Sequence, residues 1–89
     1  MNTYVVAYDL SYAGQNYECL TRKLRAYGTY CHLQQSAWLI ESSQTAVQVR
    51  DNLSACLDGN DRLFVAELSG EAAWTGYDAA TSKWIKETA

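Results

Sequence analysis

Asp9 is the residue whose position in this sequence most suggests chemistry. It sits near the end of a dense β-branched and aromatic run, Thr3 to Leu10 (TYVVAYDL), where a strand stops and a loop opens. The plainer reading, and the favoured one, is that its carboxylate accepts hydrogen bonds from amides of the following turn, Ser11 to Gly14, as Asp does at many strand exits. The chemical reading makes Asp9 a catalytic carboxylate or a ligand for Mg2+ (or Mn2+), which binds through one or two carboxylates and keeps several of its waters. A two-fold axis close to Asp9 would bring a second carboxylate from a second copy of the chain.

The other reactive residue types are sparse. His32 is the one histidine, and in an extended segment it and Cys31 point to opposite faces, so the two do not share a metal. A structural or exposed role is favoured for it over a general base. Cys19, Cys31 and Cys56 are odd in number and lack C-x-x-C spacing, so they read as reduced thiols in or near the core rather than as a disulfide framework or a zinc knuckle. Ser36 has no second histidine or acid patterned with it, which argues against a hydrolase triad. Arg22, Lys23 and Arg25 form the one cationic cluster. With Glu18 four residues before Arg22 they read as a solvated helix face, and they are also where a nucleic-acid backbone would touch. Tyr8, Tyr12, Tyr17 and Tyr30 read as packing for a small sheet, with base stacking as the alternative. Trp74 and Trp84, near the C-terminus, cover either the sheet or a partner.

The elements that would position these residues can be read from periodicity. Thr3 to Leu10 is apolar on both faces and so is predicted as a central strand. After a turn over Ser11 to Asn16, Tyr17, Leu20, Leu24 and Tyr27 recur at helical spacing until Gly28. Thr29 to Gln34 and Ser36 to Glu41 are two extended stretches joined closely enough to form a hairpin. Ser42 and Ser43 offer an N-cap for a second helix marked by Ala46, Val49, Leu53 and Leu57, and Asp58 to Asp61 make a turn into a fourth strand, Arg62 to Leu68. The order is βαβ followed by βαβ, predicting an α+β, ferredoxin-like βαββαβ sandwich with an antiparallel four-stranded sheet over residues 1–70. Residues 71–89 form a C-terminal extension with a short helix around Tyr77 to Ile85.

Composition bounds what such a domain does. Eighty-nine residues suit one domain, and 48% hydrophobic residues with three tryptophans and seven tyrosines argue for an aromatic-rich core. So small a domain leaves apolar surface for a partner, which favours a homodimer. A net charge of −3 and a pI near 4.9 disfavour broad nucleic-acid binding. No apolar run is long enough to span a bilayer and no basic leader precedes one, so the expectation is a cytoplasmic protein without a membrane partner.

Three segments, MNTYVVAYDLS, LQQSAWLIE and DNLSACLDGNDRLFVAELSG, carry a resemblance to a known pattern. They resemble the small ferredoxin-like proteins related to the smaller universal CRISPR adaptation protein and to the VapD toxins, and most closely the SinR-like proteins of bacteria and phages. The resemblance runs from Thr3 to Gly70 and rests on the Y-D-L after strand one, the Q-x-S-x-W segment and the D-x-N-D-x-L-x-V run. It implies a homodimer with Asp9 near the two-fold axis, and metal-dependent phosphodiester cleavage through that aspartate in the nuclease members. In adaptation complexes it implies a scaffold bridging other subunits and DNA. The chain is acidic and ends in a helix where adaptation proteins use a partner-swapped strand. Taken together, the sequence favours a non-catalytic dimeric scaffold or binding protein in a phage-defence, toxin-antitoxin or phage-encoded interference setting, with a nuclease using paired Asp9 as the alternative.

Overall fold

The structure is a computed structural model that describes residues 1–11 and 17–88. Its elements run β1 (Asn2–Asp9), α1 (Tyr17–Arg25), β2 (Tyr30–Gln34), β3 (Ala37–Ser42), α2 (Ala46–Ser54), β4 (Arg62–Glu67) and α3 (Ala79–Thr88). The four strands form one sheet in the order β2-β3-β1-β4 with every neighbouring pair antiparallel, which is the ferredoxin-like arrangement. The predicted turn over Ser11 to Asn16 lies, from residue 12 on, outside the described residues, as does Tyr12.

β1 is central because both of its faces are needed. Alternation sends Tyr4, Val6 and Tyr8 into a core with Leu20 and Leu24 of α1 and Val49 and Leu53 of α2, while Thr3, Val5 and Ala7 face the other way. From β3, Trp38 and Ile40 join the helix-side core, whereas Leu39 is buried on the second face. Each large side chain buried this fully contributes roughly 1.5–3 kcal/mol. Buried polar tips find partners. Trp38 Nε1–H donates to the Tyr8 hydroxyl at 2.9 Å, and Tyr4 OH donates to the Gln44 carbonyl.

α2 begins at Ala46 as expected, but its N-cap is neither Ser42 nor Ser43. Thr45 is the N-cap: its hydroxyl accepts from the Gln48 amide at 3.2 Å, and the Gln48 side chain accepts from the Thr45 amide at 2.9 Å, closing a capping box. Ser42 is instead the last residue of β3, and its Oγ accepts from the Gln44 amide. A Ser42 still paired with Asn2 in the ladder cannot also open a helix.

The expectation of three reduced cysteines is corrected. Cys19 in α1 and Cys56, just past α2, form a disulfide with Cα atoms 5.8 Å apart, leaving Cys31 as the free thiol. Spacing in sequence could not show this, because the packing of α1 beside α2 creates the proximity.

The chain after β4 crosses the second face of the sheet. The Leu68 amide donates to the Thr3 carbonyl at 2.8 Å, Thr3 Oγ1 donates to the Thr88 carbonyl at 3.0 Å, and Tyr77 OH donates to Gln34 Oε1 at 3.1 Å. Asp78 opens α3 by accepting from the Thr81 amide, and Ile85 is the α3 residue buried against the sheet. No helix among the described residues is long and apolar enough to cross a membrane.

Candidate functional site

Register across the sheet defines which side chains share the second face. One row runs Ala66, Val5, Leu39, Cys31, and the next runs Phe64, Ala7, Ala37, Gln34. The segment between β4 and α3, residues 68–78, forms a strap that with α3 overlies the first row, where Leu39 is buried. The second row stays open: Phe64 is 63% exposed and stands beside the small Ala7 and Ala37. Beyond it, Asp9 pairs in register with Arg62 at the sheet's end.

These residues line an open cleft of about 520 Å³ whose floor is Ala7, Ala37 and Phe64 and whose polar rim is Asp9, Arg62, Gln34, Gln35 and Ser36. The β2–β3 turn fixes the rim. The Tyr8 amide donates to the Ser36 carbonyl at 3.0 Å, and Tyr8 OH reaches the Gln35 carbonyl at 3.4 Å. Burial raises the Tyr8 phenol above its ordinary value, and the hydrogen bond from Trp38 partly offsets that, so Tyr8 stays neutral and structural.

Asp9 is exposed, and the expected hydrogen bond from the first amide of the following turn goes elsewhere. The Ser11 amide donates to Asp61 Oδ1 at 2.8 Å, and Ser11 Oγ donates to the Asn60 carbonyl. The Asp58 amide donates to Asp61 Oδ2 at 3.0 Å. These bonds from the Ser11 and Asp58 amides hold the Asp61 carboxyl below its ordinary value. Asp61 thus takes the Ser11 amide, while the rest of the expected Asp9 turn, residues 12–14, lies outside the described residues, and Asp9 lines the cleft. Sequence reasoning missed Asp61, for which the Asp58-Gly59-Asn60-Asp61 turn was the available signal.

As a metal site, one protomer offers little. Asp9 brings a single carboxylate with the Arg62 guanidinium in the same cleft, and among the described residues no group of three or more His, Cys, Asp or Glu could hold an ion. The described residues of one chain do not by themselves fit a magnesium centre.

The cationic cluster lies on the helix layer, and its members are engaged separately. Arg22 makes an exposed i,i+4 pair with Glu18 at 3.5 Å, Lys23 Nζ donates to Asn52 Oδ1 at 3.1 Å, and the Arg25 guanidinium stands 6.0 Å from the centre of the Trp38 ring. His32 stacks on the same indole at 4.1 Å, with Nε2 3.2 Å from the Gln35 carbonyl. Cys31 faces the other side, where burial raises its thiol, a hydrogen bond with Thr81 lowers it and the Asp78 carboxylate raises it further. Trp74 and Trp84 are both half-buried, and Trp74 Nε1–H donates to Ser82 Oγ at 3.0 Å, joining the strap to α3.

Fold and cleft together define a small ferredoxin-like α+β protein with half of one sheet face covered by its own C-terminal segment. The chain matches no family model. Among solved structures it is similar to a hypothetical protein, TT1823, from Thermus thermophilus. The two share 24% identity over 85% of this chain and 92% of that one, with a TM-score of 0.69, a likeness of fold.

Proposed function

We propose that the protein is a dimeric scaffold or binding module that pairs with a second copy through the open half of its sheet face. The observation that carries this reading is the row Phe64, Ala7, Ala37, in which a mostly exposed aromatic ring stands beside two small residues. Such a surface offers a second Phe64 a shallow floor to lie on, and exposed aromatics of this kind anchor interfaces. The resemblance to the SinR-like, VapD-like and CRISPR adaptation proteins supports the same reading, and with it a role in phage defence, toxin-antitoxin pairing or phage-encoded interference.

Light scattering of the purified protein tests it. The expected mass is that of a dimer, and Phe64→Glu shifts it to a monomer while leaving the fold intact. A wild-type monomer at high micromolar concentration refutes the reading.

A second reading, a metal-dependent nuclease, is favoured by the exposure of Asp9 at the end of the same open face, where a two-fold axis would bring two carboxylates together. Incubation with RNA and DNA in Mg2+ or Mn2+ separates the two. The nuclease reading expects cleavage that Asp9→Asn abolishes, and the scaffold reading expects none.

A further inference from the structure

A second concavity lies under the strap, on the covered half of the sheet and apart from the Asp9 cleft. Val5, Leu33 and Leu39 form its floor, and Ala73, Trp74 and Ile85 are among the residues that wall it, around about 200 Å³ that stays partly open to solvent. The side chains lining it are apolar except for the tips of Trp74 and Tyr77, and both tips are already committed. The indole N–H donates to Ser82 Oγ at 3.0 Å, and the Tyr77 hydroxyl donates to Gln34 Oε1 at 3.1 Å. No charged side chain lines it.

Those two facts set the chemistry of an occupant. A charged or strongly polar molecule would give up its hydration with no side-chain partner in return, which opposes its binding. An enclosed apolar cavity of about 150 Å³ takes up benzene, and the space here, about 200 Å³ and partly open to solvent, has room for a molecule of that size. Gly70 and Gly76 bracket the wall segment with φ of +101° and +89°, a region in which residues with a Cβ are strained, so glycine at these two turns sets the path of the wall over the sheet.

We propose that the space between the strap and the sheet is a binding site for a small, uncharged hydrophobic molecule of roughly the size of benzene or toluene. The strap is then the wall of a ligand site as well as a cover for the sheet, and Trp74 is its built-in fluorescent reporter.

Titration of the full-length protein with toluene, followed by amide NMR and by melting temperature, tests the proposal, with benzoate as the charged counterpart. The expected result is a saturable shift of the Val5, Leu33 and Leu39 amides and a melting temperature that rises with the logarithm of toluene concentration, with no such response to benzoate. Ala73→Phe fills the space from the wall and Val5→Phe fills it from the floor. Either variant that retains the wild-type circular dichroism should weaken the response at least tenfold. The proposal is overturned if toluene produces only linear, non-saturating shifts up to its solubility, if benzoate binds as well, or if the filled variants respond like wild type.

Discussion

Removing the Cys19–Cys56 disulfide should cost this protein a large share of its stability. The bond closes a loop with a sequence separation of 37 residues. In the chain-entropy treatment a loop of that length restricts the unfolded ensemble by about 4 kcal/mol at 25 °C. Domains of this size are commonly stable by only about 5–15 kcal/mol in total, so the bond is a substantial fraction. At roughly 4–8 °C per kcal/mol for a small domain, its loss should lower the melting temperature by about 15–30 °C. The double variant Cys19→Ala, Cys56→Ala is the suitable perturbation, because Cys56 is 3% exposed and a single substitution would strand a buried thiol. The effect should have a local component as well. Ser11 is held by Asp61 and Asn60, and Cys19 is held by Cys56, so both ends of the connection from β1 to α1 are anchored to residues 56–61. Amide exchange in that stretch should therefore quicken more than in β1 or β3. Thermal melts of the variant and of reduced wild type are the assay, with thiol titration of the unreduced, denatured protein as the direct check. One reactive thiol, Cys31, is expected. Three reactive thiols, or a variant melting within a few degrees of oxidised wild type, would refute the reasoning.

Three further perturbations follow from the same geometry. Thr45→Ala removes the acceptor of the α2 capping box and should cost about 1 kcal/mol in denaturant unfolding. An unchanged midpoint would mean that the cap is not formed in solution. Tyr8→Phe deletes the hydroxyl that receives the Trp38 indole N–H inside the core, and a buried donor left without a partner should cost about 1–3 kcal/mol, measured in the same experiment. Asp61, with its carboxyl held below its ordinary value by the Ser11 and Asp58 amides, contributes stability that is complete above the unfolded-state value and is lost as pH falls through the lowered one. Asp61→Ala should therefore flatten the acid side of a melting-temperature profile and leave its shape between about pH 6 and 8 unchanged; parallel profiles for variant and wild type would count against the Asp61 lock.

The second face of the sheet is where covered and open halves meet. Its covered half has an apolar space beneath a strap, and its open half has an exposed Phe64 and an exposed Asp9. Both proposals depend on that division. Lengthening the strap over Phe64 would remove the dimer face, and peeling it back would open the apolar space.

The sequence by itself determined the elements and their order. Strand and helix signals are local: the β-branched run of β1, the helical recurrence of Leu20 and Leu24, and the recurrence of Val49 and Leu53 each lie within one short window. It also placed Asp9 at the end of β1 and His32 and Cys31 on opposite faces, because alternation in a strand is itself local. Tertiary structure decided everything that depends on residues far apart in the chain. Cys19 meets Cys56 because α1 lies beside α2, and the Ser11 amide bonds Asp61 because β1 and β4 are neighbours. The division of the second face was equally invisible. Val5 and Ala7 read alike along β1, and only the return of residues 68–88 across the sheet covers one and leaves the other beside the open cleft. Periodicity reports which side of an element is apolar, but what covers that side depends on the path of the rest of the chain.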